Sequence, residues 1–345
     1  MQTKLLRPSE DPTAIEQAGA LLRAGEVVGI PTETVYGLAA DALNPQAVAR
    51  IFEAKGRPQD NPLIVHIAEI ETVHEIAAEF PPEAQALAEA YWPGPMTIIL
   101  PKLDRIPMVT SGGLNTVGIR FPSHPMAQAI IRAAGTPLAA PSANTSGRPS
   151  TTTAQHVMED LNGKIAAVVD GGACSVGVES TVVSLCGERP RLLRPGGITP
   201  EELKALLGVL DIDRAVLGQI ANDAVVRAPG MKYKHYAPAA EVIIVSGSSE
   251  AAARYIRRHF GDGDATLCFA EELPLYGGCN PTAYGRLDAP QTLSAGLFAA
   301  LRDLDRPEIR TIYARCPEGG GLAYAIGNRL KKAAGFHVVD AEAAK

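Results

Sequence analysis

Lys55-Gly56-Arg57-Pro58, followed by Asn61-Pro62-Leu63-Ile64-Val65-His66, sets two cations either side of a glycine, with an apolar strand pattern directly behind them. Glycine lets a backbone approach a ligand closely and proline stiffens the loop. Only Glu53 and Asp60 supply negative charge nearby. Two cations on a stiff loop suit a polyanion such as a nucleoside triphosphate. A solvated basic turn has the same local pattern, so the choice rests on the other loops.

Those loops share a character: small hydroxyl residues, glycine, proline, or a cation with no acid in sequence to neutralise it. They are Pro31-Thr32-Glu33-Thr34-Val35-Tyr36-Gly37, the stretch 141–150, Gly177-Val178-Glu179-Ser180-Thr181 and Arg194-Pro195-Gly196-Gly197, with Arg120 ending Gly118-Ile119-Arg120-Phe121-Pro122. Loops at strand ends are where α/β proteins bind ligands. Hydroxyls, backbone amides and arginines together suit a phosphate or a carboxylate. Each has a plainer alternative. Ser142-x-Asn144 also fits a turn whose side chains cap its own backbone. Thr34 fits a strand exit, Ser180 and Thr181 fit sheet hydroxyls, and His66 fits a hydrogen-bonded core histidine. Arg194 fits a surface ion pair, and Tyr233 with Tyr236 fits packing between domains.

The absent motifs narrow the chemistry. There is no G-x-x-x-x-G-K-[ST], no kinase motif set, no G-x-S-x-G elbow and no cysteine in a nucleophile signature. Positioning and electrostatics on a nucleotide are therefore expected, not covalent catalysis.

The elements that must position these loops alternate. Asp11-Pro12 opens a helix through Ile15, Ala18 and Leu22 that Gly25 stops. Strands are expected over 26–30, 63–67, 96–100, 116–120, 137–140, 166–169, 180–185 and 191–194, and helices over 44–54, 82–90 and 125–134. Thr199-Pro200-Glu201-Glu202 is a capping box that starts a helix to Leu207. The pattern predicts an α/β sandwich with a twisted mixed sheet over residues 1–208. Residues 209–239 read as a linker whose end, 228–238, is rich in aromatic and basic side chains, which a passive spacer would not need. Over 240–345, strands at 242–245, 266–270, 309–314 and 338–339 alternate with helices at 250–260, 293–304 and 324–334, predicting a smaller, Rossmann-like parallel sheet. It has no G-x-G-x-x-G after its first strand, so it is assigned no dinucleotide.

At 345 residues the chain is too long for one small core. A formal net charge of −6 argues against a dedicated nucleic-acid binder. No run of about 18 apolar residues predicts a membrane span, and the first residues lack the apolar core of a signal peptide. Five widely spaced cysteines without a C-x-x-C predict reduced thiols in the cytoplasm, with neither a disulfide framework nor a zinc site.

In order, PTETVYGLAADA (31–42), KGRP with NPL (55–63), WPGPMT (92–97) and PSAN-SG (141–147) resemble the YrdC-domain proteins. GVESTVV and LLRPGGIT extend the likeness. The PGMKYKHYAP linker and the trailing α/β domain resemble the long two-domain form, the threonylcarbamoyl-AMP synthases. The likeness is dense over 27–200 and at the linker, and weaker over the last hundred residues.

The resemblance implies a nucleotidyltransferase that joins L-threonine, bicarbonate (or CO2) and ATP into threonylcarbamoyl-AMP, releasing pyrophosphate. Its product would feed threonylcarbamoyl modification of the adenosine beside the tRNA anticodon. It further implies that Lys55 and Arg57 hold the triphosphate, with Ser142 and Asn144 across the cleft, as the catalytic set. Asn61, Thr116, Ser150 and Arg194 would contact the nucleotide, and Tyr233 would close over it. Thr34, His66, Arg120, the backbone at Ala140, and Ser180 would form the threonine pocket, with Arg120 on the carboxylate. Mg2+ is expected on the ATP phosphates, with no all-protein metal cage. The general base stays open: His66 is a candidate, and a threonine-binding role is an equal alternative. The linker around Lys232-Tyr233-Lys234 has the length to act as a lid.

Three other readings compete: an RNA-binding module without catalysis, a carbamoyl-adenylate enzyme of hydrogenase maturation, and an interaction scaffold. Net charge disfavours the first, and the second would need zinc-finger-like cysteine clusters and an acylphosphatase-like region. The third has no use for so many cations in cleft loops. Expected partners are the three substrates and, downstream, a tRNA threonylcarbamoyl transferase complex, with no membrane and no stable nucleic-acid complex.

Overall fold

The computed structural model describes residues 2–59, 61–218 and 236–343. The chain divides into two compact units. The first comprises Met1–Ser146, Ser150–Ser175 and Glu179–Lys232; the second takes Gly147–Pro149, Val176–Val178 and Tyr233–Lys345.

The first unit is built on strands β1 (Lys4–Leu6), β2 (Val28–Ile30), β3 (Gly37–Asp41), β4 (Ile64–His66), β5 (Met96–Pro101), β6 (Thr116–Arg120), β7 (Leu138–Ala139), β8 (Ala167–Val169), β9 (Thr181–Ser184), β10 (Arg191–Arg194) and β11 (Asp211–Ile212). Among the described residues they form one eleven-stranded sheet in the order β1-β8-β2-β3-β7-β4-β6-β5-β9-β10-β11. The sheet is mixed: β4 runs parallel to β6, β6 antiparallel to β5, and β5 parallel to β9. The expected α/β architecture with a twisted mixed sheet is present. The sheet runs past the expected close at residue 208, because β11 pairs with β10 and the turn of helix after it buries Ala215 and Val216.

Successive strand residues point to opposite faces. One face is covered by the main core, which includes Leu38, Val65, Ile98, Ile119 and Val183. The other carries two separate apolar patches. One holds Val28, Ile30, Ala39, Leu138 and Ala140; the other holds Ile99, Val182, Leu193 and Ala215.

Helix ends are set by local chemistry. Helix Pro45–Lys55 starts where the Asn44 side chain accepts from the backbone N–H groups of Gln46 and Ala47, and ends where Gly56 turns left-handed at φ 63°. That places Lys55 on its last turn. Thr199 and Glu202 form the expected capping box of helix Pro200–Leu207. The first helix runs from Ala14 to Arg23, and Asp11 caps its entry as expected: its Oδ1 accepts from the Thr13 N–H at 2.8 Å and from the Thr13 hydroxyl at 2.7 Å. Several elements have no counterpart in the expectation, among them strands β1, β3 and β11 and helices Val73–Ile76, Ala154–Leu161 and Arg214–Leu217.

The second unit holds β12 (Glu241–Ser246), β13 (Asp264–Cys268), β14 (Pro281–Ala283), β15 (Thr311–Ala314) and β16 (Val338–Asp340). They form an all-parallel sheet in the order β14-β13-β15-β12-β16. This is the Rossmann-like sheet that its alternating pattern predicts. Its buried side chains include Val245, Ile256, Cys268 and Tyr276.

Candidate functional site

Five neighbouring strands of the first unit align one residue each. Arg194 registers with Val182, Val182 with Thr97, Thr97 with Arg120, and Arg120 with His66. Registered neighbours present their side chains to the same face. The row crosses the sheet on the face that carries the two separate apolar patches: His66, Arg120 and Thr97 form a polar band between them, Val182 belongs to the smaller patch, and Arg194 reaches back to the band through Ser180.

Every cation in the band has a partner, which corrects the expectation of uncompensated charge. Arg120 pairs with Glu33, Nη2 to Oε1 at 2.7 Å, and both side chains are buried. Arg194 donates from Nε to the Ser180 carbonyl and from Nη2 to its hydroxyl, each at 3.0 Å. The Thr97 hydroxyl lies 2.8 Å from that same Ser180 oxygen. Buried charge is tolerated only with such partners.

The neutral groups have fixed polarity. His66 Nδ1 lies 3.1 Å from the Ile64 carbonyl, which only accepts, so Nδ1 carries the proton and Nε2 presents a lone pair. Burial, then the charges of Arg120 and Arg194, lower the His66 pKa to about 3, so the ring is neutral near pH 7. Thr32 gives its one hydroxyl proton to the Val35 carbonyl at 2.6 Å. The 3.0 Å contact between the Thr32 and Thr34 hydroxyls therefore takes its proton from Thr34, which leaves Thr34 Oγ1 an acceptor toward a ligand.

Lys55 is buried, and its ammonium donates to the carbonyls of Ser142 and, at 2.6 Å, Asn144. The Ser146 N–H returns a bond to the Lys55 carbonyl at 3.0 Å. The Ser142 hydroxyl donates to Asn144 Oδ1 at 2.5 Å, and Asn144 Nδ2 to the Thr145 carbonyl at 2.9 Å. The Ser-x-Asn segment is thus a self-capped turn that Lys55 ties to a helix end. Arg57 follows directly, half-buried beyond Gly56. The Ser150 hydroxyl donates to Glu179 Oε1 at 2.5 Å, and the Ala140 N–H to the Ile64 carbonyl at 3.0 Å.

Thr34, His66, Arg120, Ala140, Ser180 and Arg194 belong to this band or border it. Lys55, Ser142 and Asn144 form a second group. Thr116 opens β6, four residues before Arg120, so it lies roughly 13 Å along the strand from the row. Asn61 precedes the neighbouring strand β4 at the same end. Tyr233 and the lid centred on it lie outside the described residues.

The sequence reasoning missed Glu33, Thr97 and Glu179. A signal was present in two cases: Glu33 and Glu179 are single acids inside hydroxyl-rich strand-exit loops, P-T-E-T and V-E-S-T. Thr97 had none, since only the register reveals its neighbours. Among the described residues no group of three or more His, Cys, Asp or Glu is placed to hold a metal ion. No helix among them is long and apolar enough to cross a membrane.

Comparison with known proteins gives concordant matches. The family model described as "Telomere recombination", which groups Sua5, YciO and YrdC, matches residues 20–196. The model described as "Threonylcarbamoyl-AMP synthase, C-terminal domain" matches residues 198–335. The threonylcarbamoyl-AMP synthase of Bacillus subtilis is 47% identical, over 96% of this chain and 95% of its own. That of Pyrococcus abyssi is 46% identical, over 94% and 95%. A crystal structure of Pyrococcus abyssi Sua5 complexed with L-threonine superposes with a TM-score of 0.89 at 43% identity, covering 99% of both chains. With residues 20–196 and 198–335 matched by the two family models and at least 94% of its length shared with these relatives, the chain belongs to the threonylcarbamoyl-AMP synthase family.

Proposed function

We propose that this chain is an L-threonylcarbamoyladenylate synthase, which converts L-threonine, bicarbonate (or CO2) and MgATP into threonylcarbamoyl-AMP and pyrophosphate. The observation that carries the proposal is the buried transverse row. A fixed guanidinium, neutral His66 and oriented hydroxyls lie side by side between two apolar patches, a setting for a small polar zwitterion.

The threonine amine adds to CO2 with loss of a proton, giving a carbamate. A carbamate oxygen then attacks the α-phosphorus in line, the bond to the bridging oxygen breaks, and pyrophosphate leaves with its electron pair. In this reading Arg120, Thr34, His66, Ser180 and the Ala140 backbone hold threonine. Lys55, Arg57, Ser142 and Asn144 hold the triphosphate, with Asn61, Thr116, Ser150, Arg194 and Tyr233 on the nucleotide. The magnesium ion enters as part of MgATP. Hydroxyls, amides and cations are the donor set for phosphate oxygens, and such an ion prefers those oxygens and water as ligands. His66 acts as a neutral acceptor at Nε2. The product is a reactive mixed anhydride, which fits immediate use by a tRNA threonylcarbamoyl transferase. The five cysteines, all free thiols, fit a reducing compartment such as the cytoplasm.

Pyrophosphate release by the purified chain tests the proposal. Release is expected only with ATP, L-threonine and bicarbonate all present, and is lost in Lys55→Ala. Release that ignores threonine would point to another acceptor and overturn it.

A further inference from the structure

The Glu33–Arg120 pair is incompletely used. Oε1 of Glu33 and Nη2 of Arg120 bond each other, yet Oε2 of Glu33 and Nε of Arg120 are buried without a hydrogen-bond partner. One is an anionic acceptor and the other a cationic donor. Buried polar atoms are normally bonded, and two orphans of opposite charge on one ion pair call for a ligand bearing both charges.

We propose that Glu33 reads the α-ammonium of the amino-acid substrate, through Oε2, while Arg120 Nε takes the α-carboxylate. The proposal rests on the reading of this band as the threonine pocket, and it adds the group that senses the amine. The neighbouring groups support it. Thr34 Oγ1 and His66 Nε2 are both acceptors by the wiring of their protons, and both are neutral. The Cys174 thiol, near Glu33 and Arg120, is kept protonated by burial, its pKa pushed up to about 12, and adds no negative charge. Glu33 thus supplies the anion that an ammonium needs.

The plainer role is that Glu33 serves only as counter-ion to Arg120, and the two roles separate by ligand choice. Calorimetry on the full-length chain would compare L-threonine with (2S,3R)-2,3-dihydroxybutyrate, in which a hydroxyl replaces the ammonium. The wild type is expected to prefer L-threonine by about 10- to 100-fold, the range of a charge-assisted hydrogen bond. In Glu33→Gln that preference should fall to within about threefold, and Glu33→Asp should fall between the two. A counter-ion role weakens both ligands equally, so an unchanged ratio in Glu33→Gln overturns the proposal. If Glu33→Gln fails to fold, Glu33→Asp decides in the same way, since an undiminished ratio there overturns it. A wild type that binds the two ligands within threefold also overturns it. A wild type that binds neither ligand overturns the threonine pocket itself, and this proposal with it.

Discussion

His66 shows how much one buried side chain can fix. Its ring is covered, its Nδ1 proton is committed to a carbonyl, and two arginines in register raise the cost of charging it. A histidine whose folded pKa is depressed binds fewer protons folded than unfolded. Stability from the neutral ring is complete above its ordinary pKa of 6.5 and drains away as pH falls toward about 3. The loss attributable to His66 amounts to about 3 kcal/mol by pH 4. Urea unfolding of the first unit, followed by the fluorescence of its Trp92 at pH 8, 6, 5 and 4, should therefore show wild type losing more stability with acid than His66→Gln. Two curves that stay parallel would refute a neutral, proton-poor His66. The same argument removes His66 from the groups that titrate between pH 6 and 9, so a limb of the turnover profile in that window belongs to another group.

At the scale of elements, the site depends on strand exits meeting at close range. The loop after β10 passes so near the start of β9 that a Cβ on Gly196 would lie 2.5 Å from the Glu179 carbonyl oxygen and 2.6 Å from the Ser180 carbonyl carbon, and would also strike the Thr181 nitrogen. Those neighbours are backbone and cannot swing aside. Gly196→Ala should cost about 1–3 kcal/mol and weaken threonine binding, because it displaces Ser180 from Arg194 and Thr97. Gly187→Ala, whose Cβ meets nothing nearer than 3.9 Å, is the control and should stay within about 0.5 kcal/mol. Equal effects from the two would refute the close approach as the cause.

Lys55 makes a parallel case, since Lys55→Met leaves two carbonyls of the Ser142–Asn144 turn without their ammonium. A loss of about 2–3 kcal/mol is expected, with faster amide exchange at residues 142–146 by mass spectrometry. Unaltered exchange there would show that the clamp is not needed to hold the turn.

Legibility in the sequence follows the same physics. Strands 116–120 and 191–194 and helix 125–134 were readable to the residue, because their breakers and apolar patterns are local. Strand Gly37–Asp41 was not: its small residues are buried with no alternation to mark a face. Helix Ala154–Leu161 is short, and its cap Thr153 is one of three successive threonines. Lys55 and Arg57 announced themselves as cations, but their company did not. Glu33 against Arg120, and Thr97 against Ser180, are created by loop closure and strand register across long sequence separations.

For the whole molecule, all the described candidate site residues fall in the first unit, while the second unit has a parallel sheet and buried apolar cluster of its own. Separate cores permit separate unfolding, and two-state behaviour is not expected of such a chain. The single tryptophan, Trp92, belongs to the first unit, so its fluorescence reports that unit alone, whereas far-ultraviolet circular dichroism reports both. Ligands that bind only the native first unit stabilise it by mass action, about 2.7 kcal/mol at 100 times Kd. Saturating L-threonine and MgATP should therefore raise the Trp92 transition by about 5–10 °C. The remaining dichroism transition, from the second unit, should stay in place. One transition, seen identically by both probes and moved as a whole by ligand, would mean that the two cores unfold together and that ligand energy from the site reaches the second sheet.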